Sequence, residues 1–109
     1  EPGESSDNIR GRVQEAREIQ LERFKDVNDL YANAQMETKQ LKDYCQLDKK
    51  SNILLKTAME KLGLSARAYD RILKVSRTIA DMSGEKSITS IQISEAIQYR
   101  SLDRQLWLG

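Results

Sequence analysis

Apolar residues recur along most of this chain every three or four positions, with Arg, Glu and Gln between them, which is the spacing of an amphipathic helix. The pattern predicts a first helix from about residue 6 to about residue 25, with apolar positions at Ile9, Val13, Ala16, Phe24 and Val27. No stretch of any length alternates apolar and polar residues in the two-residue period of a strand. Helices are therefore the only regular elements expected.

A polar connection and a short helix follow. The segment "DVNDLYANAQ" (26–35) is rich in Asn and Asp, whose side chains bond to nearby backbone groups and favour turns. The next helix is predicted to begin near Thr38 and to carry Leu41, Tyr44 and Cys45 inward.

The third predicted helix has clear end signals. Asp48 is a suitable N-cap, and Gly63 stands where a glycine ends a helix in the left-handed conformation. The apolar set expected to face the core is Ile53, Leu54, Ala58 and Leu62.

The fourth predicted helix, 65–83, divides most cleanly into two sides. Ser65 is its expected N-cap, and Gly84 follows its last periodic residue. At about 100° per residue, the side expected to be buried carries Tyr69, Ile72, Leu73, Ser76, Ile79 and Ala80. The opposite, charged side carries Arg67, Asp70, Arg71, Lys74, Arg77, Thr78 and Asp81.

The last predicted helix begins with Thr89 and Gln92, which fit the S/T-x-x-E/Q capping box. Its buried stripe is Ile93, Ala96 and Ile97, while Trp107 in the tail is more typical of a packing residue or a frayed end than of a binding anchor. The predicted fold class is all-α, a compact bundle of four to five helices.

Length and composition support one helical domain. The 109 residues suffice for a single core, with residues 1–7 as a disordered lead-in or linker and residues 8–109 as the domain. The chain begins without methionine, which suggests a fragment of a longer protein. The single cysteine cannot form a disulfide within the chain, and this favours the reducing cytoplasm. No apolar run approaches the roughly 20 residues that a membrane-spanning helix needs.

The residue inventory argues against an enzyme in isolation. There is no histidine, which removes histidine acid–base catalysis, the serine triad and every zinc site that contains histidine. The five glycines are too far apart for a phosphate-binding glycine loop, and no calcium-loop motif occurs, so no metal site is expected.

The charged side of the fourth helix leaves three interpretations open. The first is an ordinary solvated face, in which Asp70–Lys74 and Arg77–Asp81 form surface i,i+4 pairs worth a few tenths of a kcal/mol each. The second is a stripe that binds nucleic acid, and the third is part of a phosphate site completed by another domain. Arg67 argues against the first interpretation, because the helix dipole disfavours a cation in the first turn. A net charge of +1 and a pI of about 8.1 argue against an autonomous DNA-binding module.

Three blocks in this order carry a resemblance to a known family: "RVQEAREIQLERF", "LSARAYDRILKVSRTIADMSG" and "ISEAIQYRSLDR". The chain resembles, over about residues 8 to 104, the C-terminal domain of magnesium-chelatase-like AAA+ proteins, most closely the bacterial ComM-type (YifB-type) competence proteins. Family members often have alanine where this chain has Ser76, whose hydroxyl is expected to bond back to a backbone carbonyl.

The resemblance implies a helical lid, not catalytic on its own, that follows the core of an ATP-hydrolysing AAA+ protein. ATP and its Mg²⁺ would be bound mainly by that core, and the lid would supply a sensor-2 arginine to the γ-phosphate. The "SAR" motif assigns this role to Arg67, with Arg71 and Lys74 as weaker candidates for phosphate or neighbouring-subunit contact and Arg77 at the edge of the face. The implied partners are the core of the same chain, neighbouring subunits of a ring and, for the parent protein, DNA; the alternative is an autonomous helical module that binds DNA or protein.

Overall fold

A computed structural model of the chain describes the backbone of residues 6–108 and the side chains of residues 7–99. Within that part, five α-helices and one 3-10 turn make up the regular structure: α1 Ser6–Arg23, the 3-10 turn Asn33–Gln35, α2 Thr38–Tyr44, α3 Lys49–Leu62, α4 Ala66–Met82 and α5 Ser90–Leu108. One isolated parallel bridge, Leu47 to Ile88, is the extent of β structure among these residues. The all-α bundle predicted from the sequence is confirmed.

The helix ends lie where the capping residues place them. Asp48 and Ser65 accept hydrogen bonds from the backbone N–H groups of Ser51 (2.7 Å) and Ala68 (3.2 Å). Gly63 and Gly84 have φ of 62° and 73°, in the left-handed region that glycine adopts without steric penalty. The start of α5 is held by Gln92, whose side-chain oxygen accepts from the Thr89 N–H at 2.7 Å.

The core is formed by residues from every helix and from the loop before α2. Its fully buried members include Phe24, Leu55, Ile72 and Ile93, each at most 1% exposed. The α4 helix packs against α1, α2, α5 and the 3-10 turn, and α3 packs against α5. Because α4 contacts four other elements, these elements determine which of its side chains are buried and which are exposed.

Most of the apolar positions that predicted the helices are buried or partly buried, but Ile9 and Val13 in α1 are 43% and 37% exposed, and α3 has two further exceptions. Ile53 and Leu62 are 56% and 43% exposed, and Leu55 is fully buried instead. The side of α3 that faces the bundle runs through the buried Ser51 and Leu55 and the partly buried Leu54 and Met59, and Ile53 and Leu62 lie off this side. The assignment of Ile53 and Leu62 to the core was therefore wrong.

The two ends of the chain carry predictions that the structure does not reach. The proposed lead-in, residues 1–7, lies outside the described residues except for Ser6 and Asp7, which belong to α1. Trp107 lies beyond the last described side chain. Among the described residues, no helix is both long and apolar enough to cross a membrane.

Candidate functional site

A cleft of about 620 Å³ runs along the charged side of α4. Its walls come from α4, from the 3-10 turn and from α5, and its lining residues are Ala34, Arg67, Asp70, Arg71, Lys74, Val75, Thr78, Ile79 and Tyr99. The three residues that sequence assigned to phosphate contact, Arg67, Arg71 and Lys74, therefore lie along one concave surface. Spacing on a helix predicts a shared face, but the cleft depends on the neighbouring elements.

Arg67 is the second residue of α4, immediately after Ser65 and Ala66. Its side chain is exposed, and within the described part of the chain it has no ion-pair or hydrogen-bond partner. A cation at this end of a helix is disfavoured by the dipole. No internal contact of the described residues explains its position, whereas an external anion would.

Arg71 lies one turn further along α4 and is also exposed and unpaired among the described residues. Lys74 follows, and its ammonium donates to the Ala34 carbonyl at 3.3 Å. The expected surface pair between Asp70 and Lys74 does not form, because the 3-10 turn offers Lys74 a carbonyl on the other side of the cleft. That prediction was wrong, and it leaves the carboxylate of Asp70 without an ion pair among the described residues.

The electrostatic balance of the cleft favours anions. Among the described side chains, two guanidinium groups and one ammonium face it, against one half-buried carboxylate, that of Asp70. Guanidinium groups form paired, charge-assisted hydrogen bonds with phosphate oxygens. The cleft can therefore hold a phosphate or carboxylate, while its lining has no histidine, cysteine or carboxylate pair suited to bond-breaking chemistry.

The other half of the charged side differs from its prediction. Arg77 and Asp81 are 4% and 3% exposed, so they are core residues and not a solvated pair. They do contact each other, with Arg77 Nε 3.2 Å from Asp81 Oδ1. The surface assignment of this pair, and the placement of Arg77 at the edge of the phosphate-binding face, were wrong because α1, the 3-10 turn and the loop after α4 cover this end of the helix.

Asp81 is the centre of a buried polar network that links three elements. Arg23, at the end of α1, donates to both carboxylate oxygens at 2.7 and 2.8 Å, and Asn33 Nδ2 donates to Oδ2 at 2.8 Å. Arg77 also donates to three backbone carbonyls, those of Tyr44 (3.4 Å), Lys86 (3.0 Å) and Glu85 (2.8 Å). These contacts satisfy the buried Arg77 and the mostly buried Arg23, so the network fixes how the three elements meet and leaves neither cation free for a ligand.

The sequence pattern did not reveal Arg23 or Asn33 as network members. The available signals were weak: Arg23 directly precedes the buried Phe24, and Asp81 directly follows the buried Ala80. Both signals are also compatible with a solvated helix face. The partners come from segments about 50 to 60 residues away along the chain, which periodicity does not relate to one another.

Cys45, the single cysteine, does not form a reactive site. Cys45 is 4% exposed, and burial raises the pKa of its thiol to about 11, an effect that Arg77 and Arg23 partly offset. A thiol with so high a pKa is not nucleophilic at neutral pH. Across the described residues, no group of three His, Cys, Asp or Glu side chains is arranged to hold a metal ion.

Comparison with known proteins gives a consistent result. A family model described as "Magnesium chelatase, subunit ChlI C-terminal" matches residues 3–100. The chain is 45% identical over 104 residues to the competence protein ComM of Haemophilus influenzae, covering 95% of this chain and 19% of that protein. It is 42% identical over 105 residues to the uncharacterized protein YifB of Escherichia coli, covering 96% and 20%.

More distant relatives extend the same match. An uncharacterized protein of Mycobacterium tuberculosis is 30% identical over 98 residues, covering 90% of this chain and 19% of that protein. The chain thus spans about a fifth of the length of the curated relatives it matches, and the matched region is their C-terminal part.

Proposed function

Because the chain belongs to the family of magnesium-chelatase ChlI C-terminal domains, we propose that it is the lid of an AAA+ ATPase and that Arg67 contacts the phosphates of ATP held by the core of the longer protein. ATP and Mg²⁺ are bound mainly by that core, in the cytoplasm. The lid itself is not catalytic, and movement of the lid couples the nucleotide state to assembly of neighbouring subunits into a ring.

The observation that carries this proposal is the environment of Arg67. The side chain is exposed at the N-terminus of α4, lines a cationic cleft and has no partner among the described residues. The backbone N–H groups at that helix end and the guanidinium both favour a bound anion. A phosphate group brought to the cleft by the core of the longer protein accounts for these features better than exposure to solvent does.

The place of each residue in the cleft supports the role that we propose for it. Arg67 is nearest the N-terminus of α4 and would hold the terminal phosphate, where charge develops during phosphoryl transfer. Arg71 and Lys74 are secondary contacts for phosphate or for a neighbouring subunit. Asp70 limits the charge of the cleft, because its carboxylate lies between the cations along α4.

The test is ATP turnover by the full-length parent protein with Arg67→Ala. Because the contact would stabilise charge in the transition state, we expect turnover at saturating ATP to fall by about 100-fold or more, while ATP still binds. Lys56→Ala, which removes an exposed cation from α3 outside the cleft, is the matched control and should leave turnover unchanged.

Assembly must be measured in the same variants, because a ring that does not form would also lose activity. Arg67→Lys retains the charge but not the paired donors, and we expect it to recover only part of the turnover. Full turnover by an assembled Arg67→Ala protein would contradict the proposal and leave the cleft for a different anionic partner, such as DNA.

A further inference from the structure

The 3-10 turn Asn33–Gln35 forms one wall of the cleft and is fixed from beneath by Asn33. The Asn33 side chain is completely buried. Its amide nitrogen donates to Asp81 Oδ2 (2.8 Å) and to the Thr78 hydroxyl (3.0 Å), and its oxygen accepts from Arg23 (2.9 Å). The backbone N–H of Asn33 donates to Gln20 Oε1 at 2.9 Å, so the residue is held from four directions.

The rest of the turn is equally constrained. The Gln35 side-chain oxygen accepts from the N–H groups of Tyr31 (2.8 Å) and Ala32 (3.1 Å), and the Met36 N–H donates to the Asn33 carbonyl at 3.0 Å. Met36 is 2% exposed in the core. These contacts hold the backbone on both sides of Ala34 in place, and they thereby fix the direction of the Ala34 carbonyl.

That carbonyl is the acceptor for Lys74, with 3.3 Å between the lysine nitrogen and the oxygen. An ammonium has three donors, so one bond to Ala34 leaves two for an anion in the cleft. A free lysine side chain loses rotamer freedom when it binds a ligand, and a side chain already held in place loses less. The turn therefore orders Lys74 before the anion arrives.

We propose that Asn33 is a positioning residue for anion binding: it fixes the Ala34 carbonyl, and through that carbonyl it holds the Lys74 ammonium in the cleft. This inference rests on the proposed phosphate-binding role of the cleft. Asn33 itself does not line the cleft, so its effect on the anion is indirect, and of the lining residues that it supports Lys74 is the one that carries a positive charge.

The experiment is a double-mutant cycle in this chain, with inorganic tripolyphosphate as the probe and its dissociation constant measured by NMR titration at low ionic strength. In the chain with Lys74, we expect Asn33→Ala to weaken binding roughly two- to tenfold, the cost of one disordered side chain. In a Lys74→Ala background, Asn33→Ala should cause no further loss, because there is no ammonium left to position.

Two further variants separate positioning from general destabilisation. Gln20→Met removes only the acceptor of the Asn33 N–H and should give a smaller loss that also depends on Lys74. Ser76→Ala removes a buried hydroxyl that donates to the Ile72 carbonyl on the other side of α4, and it should leave tripolyphosphate affinity unchanged. Helicity by circular dichroism confirms that each variant is folded.

The outcomes distinguish this inference from the proposed function. Equal losses from Asn33→Ala with and without Lys74 would overturn the positioning role, as would no loss in either background or no binding of tripolyphosphate by the unmodified chain. Turnover of the parent with Arg67→Ala is a separate readout. If that turnover is unchanged while the cycle shows coupling, the ATP contact fails and the positioning role of Asn33 stands.

Discussion

The two ends of the charged side of α4 both carry arginine and aspartate, but these residues have opposite physical roles at the two ends. At the N-terminal end, Arg67 and Arg71 are exposed and unpaired among the described residues. At the C-terminal end, Arg77 and Asp81 are buried and fully bonded to α1, the 3-10 turn and nearby carbonyls. The comparison shows that the partners supplied by other elements decide whether a helical arginine is available to a ligand.

Substitution of the two aspartates of α4 tests this difference, and it has the largest expected effect on the free energy of unfolding. Asp81→Ala would leave Arg23 and Arg77 buried without their carboxylate, and we expect the free energy of unfolding to fall by about 3–5 kcal/mol. Asp70→Ala, at the half-exposed position in the cleft, should change it by no more than about 0.5 kcal/mol. Urea denaturation measures both, and equal effects would mean that the buried network is not a stabilising centre.

Two arginines provide a matched and smaller comparison. Arg77→Met removes charge-assisted bonds to Asp81 and to the carbonyls of Glu85 and Lys86, which we expect to cost about 1.5–3 kcal/mol. Arg71→Met removes an exposed side chain and should leave thermal stability nearly unchanged. If Arg71→Met is the more destabilising of the two, the assignment of structural and ligand-binding roles along α4 is wrong.

The pH dependence of stability gives a third test, through Cys45 beside the network. Burial raises the pKa of this thiol from 9.0 to about 11. Between about pH 9 and pH 11 the unfolded chain has lost the thiol proton and the folded chain retains it, so stability falls as pH rises, by up to about 2 kcal/mol.

Cys45→Ala is the control for this effect, because lysines and tyrosines titrate in the same range. The alanine variant should show a shallower decrease in the free energy of unfolding over this pH window. Identical slopes for the two proteins would show that the thiol is not desolvated in the folded chain.

The bundle could be predicted from the sequence because its signals are local. Asp48, Gly63, Ser65 and Gly84 set helix ends through contacts within a few residues, and the period of 3.6 residues identified the buried side of α4. The hydroxyl of Ser76 bonds back to Ile72, as expected for a serine on a buried helical face.

The predictions that failed concern contacts between distant segments. The burial of Arg77 and Asp81 depends on Arg23 and Asn33, and the exposure of Ile53 depends on how α3 meets the bundle. For the site, the sequence placed Arg67, Arg71 and Lys74 on one face, but the Ala34 wall that makes this face a cleft comes from a loop with no periodic pattern. Helical spacing carries no information about such walls.

The most direct test of the central claim is the affinity of the full-length parent for a non-hydrolysable ATP analogue and for ADP, measured with and without Arg67→Ala. If Arg67 contacts the terminal phosphate, the substitution weakens binding of the analogue and leaves ADP affinity unchanged, so the preference between the two nucleotides shrinks. Equal changes for both nucleotides, or no change for either, would contradict a contact between Arg67 and the γ-phosphate.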